Sequence, residues 1–267
     1  MSAVSNNPPG APGASALDRY DLYELAAQSP EVQVRFLRAV HAGAPRTLGE
    51  DFCGSGAIAR AWVALGPDYT AVCVDRDPEA VAALRARADT ATLPRLTLRI
   101  IDVHEAHDRV DLLIALNFPV GYFHERDALV AWMRHARARC NPGGALVVDI
   151  YGGEHAFVCG EQSQDLDAGV RYTWEQREAD PATGLVVNAM RFDLPDGRSI
   201  PDAFVYRWRL WSIPELRDAM RDAGFAHTDV YDSLGDAVDD DGGVHARPLA
   251  PGEPLDDDYV VYVVGRA

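Results

Sequence analysis

The chain has 267 residues, 48% of them hydrophobic, enough for one large domain with a substantial core or for one domain carrying an insertion. Its formal net charge is −16 and it contains no lysine, which argues against partners recognised through a phosphate backbone, DNA and RNA alike. No apolar run approaches ~18 residues, so no membrane span is expected. Cys53, Cys73, Cys140 and Cys159 lack metal-ligand spacing, so no metal is expected. The N-terminus shows no basic-plus-apolar signal, which makes the cytoplasm the expected compartment.

In chain order, residues 1–16 are Pro, Gly, Ser, Asn and Ala without apolar periodicity, and read as a disordered tail before an ordered domain over 17–267. In Leu17–Gln28, Tyr20 and Tyr23 share a helix face. Ser29-Pro30 starts a second helix, stopped by Gly43. A strand from Thr47 runs into the acidic pair Glu50-Asp51, then Phe52-Cys53 and a tight turn, Gly54-Ser55-Gly56. Glycine at both turn positions lets a ligand approach the main chain. The helix that follows, from Ala57 to Leu65, presents its free N–H groups to that ligand.

Nineteen residues after Gly56, a second strand ends at Asp75, where a carboxylate would meet a ribose diol. Asp77-Pro78 caps the next helix, to about Ala88. Leu96–Ile101 is a third strand ending in Asp102-Val103, and Asp111–Leu116 a fourth ending in Asn117-Phe118-Pro119. Arg126–Arg139 carries a helical stripe of Leu129, Trp132, Met133 and Ala136. Asn141-Pro-Gly-Gly reads as a turn, and Ala145–Ile150 as a fifth strand running into Tyr151. Such strand–helix alternation predicts a parallel sheet.

The pattern then changes. Arg171–Glu178, Leu185–Leu194 and Ala203–Trp211 predict a three-stranded antiparallel insertion within about 154–211. It is rich in Trp174, Tyr206, Trp208 and Trp211, with Arg207 and Arg209 interleaved. An aromatic-lined lid over a small-molecule pocket is one reading; a small core private to the insertion is the other, and strand alternation assigns about half of the rings to it. Ser212-Ile-Pro-Glu215 is a capping box opening a helix to Ala223. His227–Asp232 and Tyr259–Val264 are strands with no helix between them, so they should pair antiparallel. The acidic, Pro/Gly-rich residues 235–258 between them read as a mobile loop.

The turn at Gly54-Ser55-Gly56 fits a dinucleotide fingerprint, but the carboxylate before it suits a ligand with an ammonium group and repels a pyrophosphate. It resembles motif I of the class I S-adenosylmethionine-dependent methyltransferases, an acidic residue followed by x-x-x-Gly-x-Gly, with Phe52 where that family usually has glycine. The order of elements, the acidic ends of strands two and three, Asn-Pro-Gly-Gly before strand five and Arg209-Leu-Trp-Ser-Ile-Pro-Glu-Leu extend the resemblance over about 17–265. It implies a Rossmann-like α/β fold, a seven-stranded mixed sheet with helices on both faces and an inserted antiparallel lid.

The resemblance also implies roles for particular residues. S-adenosyl-L-methionine would be the cofactor. Tyr20 and Tyr23 would close over its methionine end, and Glu50 would face its ammonium and sulfonium half. Phe52, Cys53, Gly54 and Gly56 would line its path. Asp75 would hold both ribose hydroxyls, Asp102 would accept from the adenine amino group and Val103 would flank the ring. Arg76 would stack on adenine or stay solvated, and Asn117 would lie beside the methyl group. Tyr122 and Tyr151, after strand ends on the ligand side of the sheet, are the candidates for a catalytic base, needed only if the acceptor arrives protonated. His124, Asp149 and His155 are lesser candidates, and Cys53 lacks a partner base. Trp174, Arg207 and Arg209 are the candidate contacts to a small-molecule acceptor methylated on nitrogen or oxygen. The alternatives are an NAD(P)-dependent oxidoreductase and a non-catalytic S-adenosylmethionine-binding protein. The oligomeric state stays open, with a homodimer one option.

Overall fold

The computed structural model describes residues 17–41, 43–232 and 246–267. The expected tail at 1–16 and residues 235–245 of the expected mobile loop lie outside them. Two helices, α1 (Arg19–Ala27) and α2 (Pro30–Val40), precede the strand–helix alternation β1 (Thr47–Asp51), α3 (Ala57–Ala64), β2 (Thr70–Asp75), α4 (Pro78–Arg87), β3 (Leu96–Ile100), β4 (Val110–Ala115), α5 (Arg126–Arg139) and β5 (Cys140–Gly153). Four strands follow: β6 (Gly160–Asp165), β7 (Arg171–Asp180), β8 (Leu185–Asp193) and β9 (Ser199–Arg209). The chain closes with α6 (Ile213–Asp222), β10 (His227–Asp232) and β11 (Asp258–Arg266).

The main sheet has seven strands in the order β10-β11-β5-β4-β1-β2-β3. β1 through β5 pair in parallel, and β11 inserts antiparallel between β5 and β10. Strand alternation divides the core in two. On β4, Leu113 and Ala115 face one side with Trp132 and Met133 of α5 and Leu216 of α6. Leu112 and Ile114 face the other, with Phe36 and Leu37 of α2 and Trp62 of α3. Each such fully buried aliphatic side chain contributes roughly 1.5–3 kcal/mol, which explains why these strands read as continuous apolar runs. The strand order reverses between β1 and β4, so a crevice opens at their carboxyl ends.

Two expectations are corrected. Asn141-Pro-Gly-Gly is not a turn between elements but an irregularity inside β5, whose register on β4 shifts from Val110↔Cys140 to Leu112↔Ala145. Gly143, at φ +78°, allows the bulge, and the Asn141 amide donates to Asp111 at 2.8 Å. The insertion has four antiparallel strands, not three, in the order β6-β7-β8-β9. The missing strand, Gly-Glu-Gln-Ser-Gln-Asp, is exposed along its whole length and carries no apolar alternation to betray it.

Helix α1 packs on this second sheet. Leu22 is fully buried among Val170, Met190, Phe192, Leu194 and Ala203, a core separate from those of the main sheet. Ion pairs then tie α1 to the main body: Arg60 to Glu24 at 2.6 Å and Arg87 to Asp21 at 2.7 Å. Residues 246–257 are anchored rather than free over their described length. Leu249 donates its N–H to the Val230 carbonyl at 2.8 Å, and Leu249 and Leu255 pack on the core. No helix among the described residues is long and apolar enough to cross a membrane.

Candidate active site

The crevice begins at the β1–α3 turn. Phe52 holds φ +58°, Gly54 +54° and Gly56 +61°. The backbone therefore takes the left-handed path at the position where a glycine would be at ease, with a phenylalanine on it. Its ring is held by others: stacked on Tyr122 at 6.1 Å and edge-on to Phe123 and Trp132. The two glycines serve different ends. A Cβ on Gly56 would lie 2.2 Å from Leu84 of α4, whereas one on Gly54 would meet nothing within 4 Å. Gly56 is required by packing, and Gly54 borders open space.

The acidic pair also divides. Asp51 is buried: a single Arg139 guanidinium nitrogen, Nη1, donates to both of its carboxylate oxygens at 2.8–2.9 Å, and the Trp132 indole donates to it at 3.2 Å. It fastens β1 to α5. Glu50, 5% exposed, accepts the Ala59 N–H at 3.0 Å. It supplies to α3 the cap that the N-cap residue, Gly56, cannot. Burial pushes its carboxyl up to about 8. Ser55 is buried, and its hydroxyl has no partner among the described residues.

At the end of β2, Asp75 accepts the N–H groups of Gly54 and Asp77, each at 2.9 Å. These bonds aim its carboxylate at the turn, and burial raises its pKa. Arg76 is exposed beside it. Asp102 caps the short turn after β3. It takes the His104 N–H at 3.0 Å and the His104 Nδ1 at 2.7 Å, and these bonds lower its pKa. The Val103 side chain belongs to the core beneath. Cys53 is buried, and its thiol is raised well above its usual range by a hydrogen bond with Cys73 and by burial, which removes it as a nucleophile.

On the β4 side, Asn117 and Phe118 are consecutive left-handed residues, at φ +69° and +67°. The Asp149 carboxylate receives both of their N–H groups at 2.8 Å, and burial pushes it up to about 7. Beyond Asn117 lies a cavity of about 440 Å³ between α1, the β4 turn and the insertion. Its floor is a stack of rings: Tyr206 and Trp208 lie 4.3 Å apart at 20°, with Trp174 6.1 Å from each. Tyr206 and Trp208 are two apart on β9 and so share a face. Gly121 seats this floor on the main body, since a Cβ there would be 2.7 Å from Trp208.

Of the sequence-derived candidates, Tyr23, Asn117, Tyr151 and Trp174 line this cavity. Glu50, Phe52, Cys53, Gly54, Gly56, Asp75, Arg76, Asp102 and Val103 lie outside it, on the β1–α3 turn and at the ends of β1, β2 and β3. Tyr20 belongs to neither group; it is 6% exposed and packs on Ala80, Ala83 and Phe204. Tyr151 accepts from the Asn188 amide at 2.9 Å, and burial pushes its phenol up to about 12. Tyr122 stays 44% exposed at the crevice edge. Arg207 and Arg209 alternate to the opposite face of β9 and line no part of the cavity. Arg209 instead lies 3.9 Å over the Trp211 ring and donates to the His124 carbonyl at 2.9 Å. Phe118, Met190 and the β6 amides Gln162 and Gln164 line the cavity without having been anticipated. Only the aromatic character of the insertion pointed toward them.

Residues 52–144 match the methyltransferase domain family. The order of the seven-stranded sheet and the crevice at its strand ends are those of the class I methyltransferase fold. Solved structures of the same architecture include the CcbJ methyltransferase of Streptomyces caelestis, 18% identical over 94% of this chain and 96% of that one, with a TM-score of 0.68. An amino pentose methyltransferase of Micromonospora echinaspora, solved with S-adenosylmethionine bound, is 16% identical over 93% and 96%, TM-score 0.64. A sugar N-methyltransferase of a Streptoalloteichus species is 19% identical over 100% and 98%, TM-score 0.61. No curated protein matches the chain.

Proposed function

We propose that this protein is an S-adenosylmethionine-dependent N-methyltransferase acting on an amine of a small ring-shaped acceptor. The cofactor fits the residues present. Gly54 leaves the main chain open to a ligand, Asp75, held beside the turn by two backbone N–H groups, keeps lone pairs for a diol, and the buried Ser55 hydroxyl has no partner among the described residues. The cofactor supplies a methyl group on a sulfonium whose departing thioether is neutral. The residues of this chain have three tasks. The crevice holds the adenosine half at Asp75 and Asp102. Glu50, neutralised by burial, gains charge readily when a cation comes near it. Asn117, locked by Asp149, sets the boundary between crevice and cavity.

The observation that carries the choice of nitrogen is the cavity lining. It contains aromatic rings, Met190 and amides, and no Asp, Glu or His among the described residues. The one ionisable type present is tyrosine, and Tyr151 keeps its proton to about pH 12. An aliphatic hydroxyl needs a base to become nucleophilic; a neutral amine already offers its lone pair. In the transfer the nitrogen–carbon bond forms as the carbon–sulfur bond breaks, and the product ammonium releases its proton to water. Positioning over the flat aromatic floor and exclusion of water supply the acceleration. The flat floor with amides at its rim suits the face of a sugar-like ring, the acceptor type of the amino pentose methyltransferase and the sugar N-methyltransferase that share the fold.

Calorimetric titration with S-adenosylmethionine, S-adenosylhomocysteine and NADH tests the cofactor, with Asp75→Ala as control. An acceptor screen with matched amine and hydroxyl rings follows, read as S-adenosylhomocysteine release. Binding of NADH alone, or turnover of the hydroxyl set but not the amines, would sink the reading.

A further inference from the structure

The aromatic cavity does not end at its own wall. Tyr151, Gln162, Trp174 and Val260 also line a second compartment of about 380 Å³ that opens outward from it. Its floor is Tyr259, whose ring lies over Gly152 on the neighbouring strand; a Cβ on Gly152 would be 2.6 Å from the ring carbon bearing the hydroxyl. Its wall, residues 154–158, is fixed. The buried Gln176 amide donates to the carbonyls of Ala156 at 2.9 Å and Val158 at 3.2 Å, and His155 donates its N–H to Asp258 at 3.0 Å. Val158 and Val260 are exposed apolar side chains along this compartment, at 55% and 37%.

We infer that this compartment is a second acceptor subsite, and that the acceptor is a two-ring amino glycoside carrying no phosphate. The inference rests on the amine-acceptor reading above. Two aromatic platforms, Tyr206–Trp208 in the inner cavity and Tyr259 in the outer one, meet at Tyr151, which lines both. The outer platform is bordered by hydrogen-bonding groups suited to hydroxyls: Gln162, Glu161, His155 and Asp258. Its charge excludes a nucleotide-activated sugar. Two carboxylates, Glu161 and Asp258, line the way out, and the groups beside them are already engaged, Arg191 with Glu161 at 3.2 Å and the His155 ring with Asp258 at 2.8 Å. A diphosphate leading outward would meet like charge.

The test compares three ligands by calorimetry on the full chain saturated with S-adenosylhomocysteine: glucosamine, its β1→4-linked dimer, and uridine-diphosphate-glucosamine. The same series is run on Gly160→Phe. Gly160 lines the outer compartment, and a Cβ there meets nothing within 4 Å, so a large side chain is accepted at the edge of the subsite without a clash at its Cβ. Unchanged S-adenosylhomocysteine affinity and melting temperature show that the variant is folded. The expected result is that the dimer binds at least ten-fold more tightly than glucosamine, that the nucleotide sugar binds more weakly than the dimer, and that Gly160→Phe removes the dimer's advantage while sparing glucosamine. Equal affinity for monomer and dimer, an advantage that survives Gly160→Phe, or tighter binding of the nucleotide sugar overturns the inference and leaves the amine-acceptor reading standing. Failure of both amines to bind while S-adenosylhomocysteine does bind overturns the two together.

Discussion

The Asp149 carboxylate on β5 accepts the backbone N–H of Asn117 at 2.8 Å, across the end of the neighbouring strand, and that of Phe118 at the same distance. Two successive non-glycine residues in the left-handed region cost of order 1–3 kcal/mol each. The buried acceptor offsets that cost by satisfying two N–H groups that would otherwise be unpaired. Asp149→Asn keeps one acceptor and turns an NH₂ toward the other N–H. It should lower stability by about 1–3 kcal/mol. It should also raise KM for the acceptor more than Kd for S-adenosylhomocysteine, because Asn117 borders the acceptor cavity. Thermal denaturation and steady-state kinetics check both.

Glu50 makes the stability of the ligand-free protein fall with rising pH. Its folded pKa is about 8, raised by burial from an ordinary 4.5. Between these values the folded chain holds a proton that the unfolded chain has lost. The associated stability is fully present below about 4.5 and is lost as pH rises through 8. Asp149, raised to about 7, has the same sign over a lower window. Glu50→Gln retains the acceptor for Ala59 and has no proton to lose. Melting curves from pH 5 to pH 8 should therefore decline less steeply in this variant, by about 2–4 kcal/mol across the window. Parallel curves for the two proteins would contradict the assignment.

At Phe52, backbone and side chain pull in opposite directions. The φ of +58° favours glycine, while the ring contacts with Tyr122, Phe123 and Trp132 favour phenylalanine. Phe52→Ala loses the rings and keeps the strain, so it should be less stable than wild type by about 3–5 kcal/mol. Phe52→Gly loses the rings and relieves the strain. It should be more stable than Phe52→Ala by about 1 kcal/mol, the reverse of the usual order of these two residues. Denaturant titration of the pair measures the difference directly.

Gly54 and Gly56 should respond differently to the same change. Gly56→Ala places a methyl 2.2 Å from the Leu84 side chain and should destabilise by several kcal/mol, with partial rescue by Leu84→Ala. Gly54→Ala meets open space and should cost only about 1 kcal/mol, from its φ of +54°. It should nevertheless weaken S-adenosylmethionine binding at least ten-fold, because the methyl enters the space left to the ligand. Melting temperature and calorimetric affinity, measured on both variants, separate the two roles.

Periodicity and punctuation in the amino-acid order were enough to determine the main body. The apolar runs at β2, β4 and β5, the helical stripe of α5 and the capping box at Ser212 are local signals, and each element forms where its own residues place it. The turn residues Gly54 and Gly56 and the carboxylate at Asp75 were legible for the same reason, because their chemistry and spacing do not depend on distant parts of the chain. Tertiary structure decided the rest. Nothing in the string Glu50-Asp51 tells which acid turns to α3 and which meets Arg139, 88 residues away. Strand β6 has no apolar face of its own and exists because β7 lies beside it with free hydrogen-bonding groups. Arg207 and Arg209 sit in the same aromatic stretch as Tyr206 and Trp208, but the pleat of β9 sends them to the other face. The aromatic floor, a lining without Asp, Glu or His among the described residues, and the second compartment come from four strands, a helix and two strand ends meeting in space. Contacts of that separation leave no periodic trace in a sequence, because they depend on how the elements dock and not on how each one forms.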